Sequence, residues 1–308
     1  MTDVLLAVVG PTASGKSELA RRICQRVQGE VVSADSVQIY RRFDIGSAKP
    51  SLEERQQVAH HLIDELDPLD AADAARFTQL ADTRIAEIRA RGRRPVLCGG
   101  TFLWVRALSH GLVPAPPAND AIRARHQEEA AQLGRAALHA RLASIDASSH
   151  ARLNPNDLVR VSRALEVYEL TGRTLSELQA EHGFRTPRYQ LRLVGIREER
   201  ALLYERIRAR VVDMFERGWL EEVRGLLEDG YGQARALRSV GYRQVAEALA
   251  SGGPLDLPAL IERVAQVTRT FVRHQLTWLR DQPVEWLAPG ELDAFCAALA
   301  PLPAPPGD

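Results

Sequence analysis

Residues Gly10-Pro11-Thr12-Ala13-Ser14-Gly15-Lys16-Ser17 fill the pattern G-x-x-x-x-G-K-[ST] at every fixed position. Their flanks supply the context that such a loop needs. Val4 to Val9 is a short apolar run of buried-strand type, and Ser17 to Val27 can continue as a helix. A strand, a glycine turn and a helix N-terminus aim backbone amides and a favourable dipole at an anion. Lys16 then reaches the terminal phosphates, and the Ser17 hydroxyl can bind magnesium. A polyphosphate site is therefore expected from Gly10 to Ser17.

Of the 40 basic residues only Lys16 and Lys49 are lysine. A compact ammonium on a flexible stem does something at a phosphate that a planar guanidinium does not, so Lys16 reads as chemically chosen. Lys49 carries a weaker form of the same argument.

The 308 residues, 45% of them hydrophobic, can bury one large core or two smaller ones. There is no apolar run near ~18 residues and no basic segment leading into an apolar stretch, so neither a membrane span nor a signal peptide is expected. A cytoplasmic protein follows. Cys24, Cys98 and Cys296 are odd in number and lack metal-ligand spacing, which fits buried thiols in a reducing compartment. The net charge is zero, which argues against binding nucleic acid through bulk electrostatics. Any nucleic-acid contact must come from local patches.

Glu30 to Ala34 reads as a second strand that ends at Asp35. An acidic side chain there faces the ligand crevice of a parallel sheet. By residue type alone Asp35 can be a turn cap, a magnesium-side carboxylate or a base. Phe43 to Pro50 fits neither helical nor strand period, a short helix starts at Ser51, and His60 to Asp64 looks like a strand. The histidine pair has no partners at ligand spacing. Asp73 to Ala90 is a helix, Pro95 to Cys98 a buried strand, and Gly99-Gly100-Thr101 opens the next helix, with Thr101 either facing the crevice or capping. This alternation predicts an α/β fold, a doubly wound parallel sheet.

The pattern changes at Val113-Pro114-Ala115-Pro116-Pro117, after which residues 118–179 read as helices only. Strand character returns at Tyr189 to Ile196, a long helix covers Asp256 to Arg280, and Pro283 to Leu287 can add a last strand. The predicted organisation is a phosphate-loop core of residues 1–111 and 189–299, an inserted all-helical domain of residues 112–188 and a proline-rich mobile tail from 300 to 308. Arg160 and Arg163, one turn apart, are by default a solvated helix face.

These residues describe a magnesium-dependent enzyme acting on a phosphorylated molecule, with a helical insertion. A nucleotide or metabolite kinase would use the insertion as a lid. A transferase would use the loop to hold a diphosphate leaving group. A GTPase is disfavoured because the guanine-reading Asn-Lys-x-Asp cannot occur where the lysines precede Ser17 and Pro50. A non-catalytic scaffold would not need the intact loop.

The ordered motifs add a resemblance. Gly10 to Ser17, Asp35-Ser36-Val37-Gln38-Ile39-Tyr40, Asp44 to Pro50, His60 to Asp64, Gly99-Gly100-Thr101, Ser162 to Val167, Val240-Gly241-Tyr242-Arg243 and Arg273 to Trp278 together resemble the bacterial tRNA dimethylallyltransferases. The likeness covers all but the tail. Phe102, Trp104 and His274 depart from the family's usual residues. The resemblance implies transfer of a dimethylallyl group from dimethylallyl diphosphate to the exocyclic amine of the adenosine 3′ of the tRNA anticodon. By the same resemblance Lys16, Arg210 and a magnesium ion on Ser17 would neutralise the departing diphosphate, Asp35 would take the amine proton and Thr101 would bond nearby. The adenosine would be flipped into the site. Ser36, Val37, Gln38, Arg123, the segment Val159-Arg160-Val161-Ser162-Arg163, Arg238, Gly241, Tyr242 and Arg243 match tRNA-contacting regions, so that the insertion would grip the anticodon stem-loop. A monomer is expected.

Overall fold

The structure, a computed structural model, describes residues 4–184 and 186–300. The tail expected to be mobile lies, from residue 301 on, outside them. The described residues form two compact units. One runs through Ser109 and resumes at Arg188; the other is His110–Pro187.

The first unit is built on β1 (Leu5–Val9), α1 (Lys16–Val27), β2 (Gly29–Ser33), α2 (Leu52–Gln57), β3 (His60–His61), α3 (Ala74–Ala90), β4 (Arg94–Gly99) and α4 (Phe102–His110). The strands are short unbroken apolar runs because both sheet faces are covered. Alternate residues serve opposite cores. Ala7, Val9, Val32 and Leu97 join Phe77 and Ile85 of α3, while Val8, Val31 and Val96 join Leu19, Ile23 and Val27 of α1.

The strand expected over His60 to Asp64 is only two residues long. Leu62 and Asp64 take positive φ values of 60° and 58°, which a strand cannot continue through. Asp64 is turned instead to an ion cluster. The Lys49 ammonium, its side chain 2% exposed, donates to Asp44 (2.5 Å), Asp64 (2.5 Å) and the Tyr40 carbonyl (2.8 Å). Lys49 thus closes the loop that fits no period, and its ammonium stays away from the phosphate site.

The regular elements of the second unit's described residues are all helices: α5 (Asp120–Leu133), α6 (Arg135–Ile145), α7 (Ala147–Arg152), α8 (Leu158–Thr171) and α9 (Leu175–His182). Side chains of Asn119, Asp146, Asp157 and Thr174 cap α5, α7, α8 and α9. Its apolar core is Leu138, Leu142, Val161, Ala164 and Leu165.

The chain then returns to the first unit with β5 (Leu191–Ile196), α10 (Arg200–Glu216), α11 (Trp219–Glu228), α12 (Tyr242–Ala250), α13 (Leu257–Arg280), β6 (Val284–Leu287) and α14 (Leu292–Ala298). All six strands are parallel in the order β3-β2-β4-β1-β5-β6. Strand order reverses direction at β1, which puts the ligand crevice at the carboxyl ends of β1, β2 and β4. Phe102 and Trp104, two of the departures from the family pattern, are packing residues: Trp104 stacks on Phe77 and Phe102 on Trp278, with ring centroids 4.5 and 4.4 Å apart. The three cysteines are unpaired and buried. No described helix is long and apolar enough to cross a membrane.

Candidate active site

Three loops meet at the carboxyl ends of β1, β4 and β2. After β1, the Gly10–Ser17 loop coils with Ala13 and Gly15 at φ 66° and 85°, the left-handed turns that let successive amides face one way. Gly15 precedes α1 without any side-chain cap, so the first-turn amides keep their donor capacity for a ligand. After β4, Gly99 passes so close to β2 that a Cβ on it would overlap the Ala34 carbonyl. That approach brings Thr101 beside the segment after β2, where the Thr101 hydroxyl accepts from the Ser36 amide (3.1 Å) and donates to the Ser36 hydroxyl (3.3 Å). Thr101 therefore spends its side chain on this bridge rather than on capping α4.

Asp35 follows β2. Its Oδ1 accepts the amides of Val37 (2.9 Å) and Gln38 (3.1 Å), so the turn-cap role is real. Its Oδ2 accepts no hydrogen bond from the described residues and is left for a ligand. The cap and base readings, alternatives by residue type, use different oxygens and are compatible.

Lys16 folds over its loop and donates to the Pro11 carbonyl (3.3 Å). Burial pushes its ammonium pKa down; Cys98 and Asp35 pull it back up and Arg210 adds to the fall. Arg210 comes from α10, where burial likewise lowers its pKa and Asp35 opposes the change. Its guanidinium has no ion-pair partner among the described residues. Two buried cations, only partly offset by Asp35, stand beside an uncapped helix N-terminus, an arrangement suited to an anionic ligand. Cys98 lines the same site as a neutral thiol, its pKa pushed up to about 11 by burial.

These groups line one cavity of about 640 Å³, with Thr12, Ser17, Ser36, Gln38, Arg217 and Arg238 also in its wall. Ile207, Val211 and Met214 of α10 and Val264 and Phe271 of α13 give it an apolar side. One residue of the site was not singled out from sequence. Gln275 of α13 is 5% exposed; its Oε1 accepts the Thr12 amide (3.0 Å) and its Nε2 donates to the Gly100 carbonyl (3.1 Å), tying the phosphate loop to the Gly-Gly turn. Its signal was a glutamine in register with Val272 and Leu279 on the buried face of α13.

The residues expected to meet tRNA divide. Arg238 and Arg243 are exposed. Tyr242 is 1% exposed with Gly241 buried beside it, and it lines the cavity rather than the outer surface. In the helical unit Val159 and Arg160 are outward, but Val161 is core and the Ser162 hydroxyl is held by His126 Nδ1 (2.9 Å). Burial leaves the side chains of Val161 and Ser162 little outward surface, whereas Tyr242 remains in the wall of the cavity. Nor does Arg163 share a solvated face with Arg160, and Arg123 is engaged at the same place as Arg163. Both grip the fully buried Glu166, Arg123 through two bonds of 2.9 and 3.1 Å and Arg163 at 2.5 Å, and the Asn119 amide adds 2.7 Å. Burial pushes the Glu166 carboxyl up, but Arg123, the Asn119 amide and Arg163 outweigh it and hold the pKa below the usual value.

No group of three or more His, Cys, Asp or Glu converges to hold a metal among the described residues. Ser17, in the first turn of α1 and in the cavity wall, offers a hydroxyl of the kind that joins phosphate oxygens and water around a magnesium ion.

The model of the IPP transferase family matches residues 38–282, and that of isopentenyl transferase matches residues 3–70. A tRNA dimethylallyltransferase of Sorangium cellulosum is 61% identical over 92% of this chain and 90% of its own length, and one of Anaeromyxobacter dehalogenans 50% identical over 92% and 93%. Among solved structures, the tRNA isopentenylpyrophosphate transferase of Bacillus halodurans superposes with TM-score 0.70 at 34% identity, covering 96% of this chain and 95% of its own. A eukaryotic dimethylallyltransferase, described as acting on tRNA, superposes with TM-score 0.77 at 25% identity over 93% of this chain and 74% of its own.

Proposed function

The chain belongs to the IPP transferase family of tRNA dimethylallyltransferases, and from that premise we propose how its cavity performs the reaction. It is a prenyltransferase that modifies tRNA, which sets the kinase reading aside. The donor is dimethylallyl diphosphate, its diphosphate cradled by Gly10 to Ser17. The acceptor is the exocyclic N6 amine of the adenosine on the 3′ side of the anticodon. The observation that carries this reading is the convergence on one cavity of an uncapped phosphate loop, the buried cations Lys16 and Arg210, and an Asp35 carboxylate with only Oδ1 bonded among the described residues.

In the reaction the allylic carbon–oxygen bond breaks with its electron pair going to the diphosphate, and the amine nitrogen forms the new bond to that carbon. Lys16 and Arg210 stabilise the charge gathering on the leaving group. Asp35 receives the amine proton on Oδ2, while the two amides on Oδ1 fix the carboxylate in the plane it needs. Thr101 and Ser36, bonded to each other, hold the segment after β2 in place beside the base. An aromatic amine is a poor nucleophile, so positioning supplies much of the rate. Ser17 would hold magnesium, which when bound adds positive charge on the diphosphate oxygens. To reach the cavity the adenosine leaves its stack. The helical unit grips the anticodon stem-loop, with Arg160 rather than Arg163 as its available cation there.

The test is incubation with magnesium, dimethylallyl diphosphate and unmodified tRNA, followed by mass spectrometry of the nucleosides. A dimethylallyl-adenosine is the expected product. Unchanged nucleosides with consumption of ATP would return the chain to the kinases.

A further inference from the structure

Two segments far apart in the chain form neighbouring parts of the cavity wall, Gly46-Ser47-Ala48 and Arg238-Ser239-Val240. The first is irregular, and the second leaves a 3-10 turn at Arg238 for two irregular residues; such backbone holds a position only where something outside it fixes it. Glu222, in the first turn of α11, ties the first of them to Tyr242, two residues beyond the second. Its Oε2 accepts the amides of Asp44 (2.9 Å) and Ile45 (2.6 Å), and its Oε1 accepts the amide of Gly46 (3.3 Å) and the hydroxyl of Tyr242 (2.6 Å). Trp219, one turn earlier on α11, fills the seam between the same two segments: a Cβ on either Gly46 or Gly241 would overlap its indole.

The loop side of this joint leads to the base. The Gln38 side chain donates to the carbonyls of Ser47 (3.0 Å) and Ala48 (3.1 Å), and the Gln38 amide is one of the two that hold Asp35 Oδ1. A continuous hydrogen-bonded path therefore runs from Asp35 through Gln38, the Asp44–Ala48 loop and Glu222 to Tyr242, next to Arg238 and Arg243. Charge-assisted bonds to a carboxylate are the stronger kind, and Glu222 makes all of its bonds to this loop and to Tyr242.

We propose that Glu222 is a positioning residue for prenyl transfer, setting the base Asp35 in register with the RNA held at the Arg238–Arg243 turn. The proposal rests on the reading of the site given above. It is stated of a residue that touches neither substrate, so its signature is a loss of turnover without a loss of binding.

Glu222→Gln tests it. With its NH2 in the place of Oε2 the glutamine opposes the Asp44 and Ile45 amides; with its NH2 in the place of Oε1 it opposes the Gly46 amide, while the Tyr242 hydroxyl can turn to accept from it. Turnover at saturating tRNA and dimethylallyl diphosphate should fall ~10- to 100-fold, the scale of a misplacement near 1 Å. The KM for tRNA and the dissociation constant of the diphosphate should stay within about threefold of the parent. Combining Glu222→Gln with Gln38→Ala should cost little more than the larger single change, because both cut one path. Tyr242→Phe removes only the RNA-side bond and should show the same split, more weakly. It also decides the matter if Glu222→Gln fails to fold. Parental turnover in both variants, a raised KM for tRNA with turnover kept, or losses that multiply in the double variant would each overturn the proposal. A parent protein that does not prenylate tRNA would instead overturn the functional reading itself.

Discussion

Replacing Asp35 separates two jobs that the structure assigns to different oxygens of one carboxylate. Asn keeps Oδ1 as an acceptor for the Val37 and Gln38 amides, so Asp35→Asn should leave stability within a few tenths of a kcal/mol, whereas Asp35→Ala also removes the cap and should cost ~1 kcal/mol. Neither variant can take a proton. As predicted for a base, both should slow single-turnover prenyl transfer by ~100-fold or more, at least about 2.7 kcal/mol of barrier. The two variants thus match in rate and differ in stability, a pattern that a pure cap cannot give. Donor affinity carries a further sign. Asp35 is an anion close enough to Lys16 and Arg210 to offset their charges, so removing it should leave affinity for the diphosphate unchanged or tighter. A magnesium carboxylate predicts the reverse, with partial rescue at high magnesium. The measurements are single-turnover transfer to unmodified tRNA, equilibrium binding of the donor and denaturant unfolding. Transfer by Asp35→Asn within about threefold of the parent, a gap of only ~0.65 kcal/mol, would refute the base.

Lys16→Ala should reduce turnover by ~100-fold or more at saturating donor while tRNA affinity is kept, and near-normal turnover would contradict leaving-group stabilisation. Arg160→Ala and Arg163→Ala should behave oppositely. Arg160, 75% exposed, should flatten the salt dependence of tRNA binding with folding untouched, whereas Arg163, engaged with Glu166, should destabilise the helical unit; equal effects on binding would refute that division. Asp146, Glu166 and Glu169 all have native pKa values below their ordinary ones of 3.8, 4.5 and 4.5. For a depressed carboxyl the unfolded state binds protons first on acidification, so the stability it contributes is complete above about 4.5 and is lost as pH falls through the native value. Hydrogen exchange should therefore show the helical unit loosening below that pH, less steeply in Glu166→Gln; a flat profile would count against the Glu166 cluster as its acid-sensitive element.

How much of this was legible before any coordinates depended on whether the information was local. The strand-to-helix alternation rests on spacing within a few residues, and the parallel sheet it predicts came out as read. The strand at His60 did not, because its termination depends on Leu62 and Asp64 turning left-handed so that Asp64 meets Lys49. Lysine scarcity marked both lysines alike, yet only tertiary structure distinguishes an ammonium over a phosphate loop from one closed in by two aspartates. Helical spacing placed Arg160 and Arg163 near one another but could not show that Glu166, one turn beyond Arg163, would draw it inward together with Arg123. Glu222 was illegible for the same reason, and Gln275, though it lies within Arg273 to Trp278 and on the buried face of α13, showed nothing there of what it bonds. Their partners lie on distant segments, and a polar residue in a helix announces its accessibility only through the face it shares.

The balance of 40 basic and 40 acidic residues, read from sequence as an argument against a nucleic-acid partner, acquires a different meaning once the pairs are placed. Neutrality is local as well as global: Arg21 meets Glu18 and Glu54, Arg84 meets Glu65 and Glu87, Arg141 meets Glu129 and Glu169, and Arg123 and Arg163 share Glu166. Such pairing removes the long-range attraction that would hold the protein on any RNA at hand. Arg210 and Arg238, both in the cavity wall, have no ion-pair partner among the described residues. Their charge is felt at short range, by a ligand already seated. Zero net charge is then compatible with a nucleic-acid substrate, provided recognition relies on shape and on a base delivered into the cavity more than on phosphate counting.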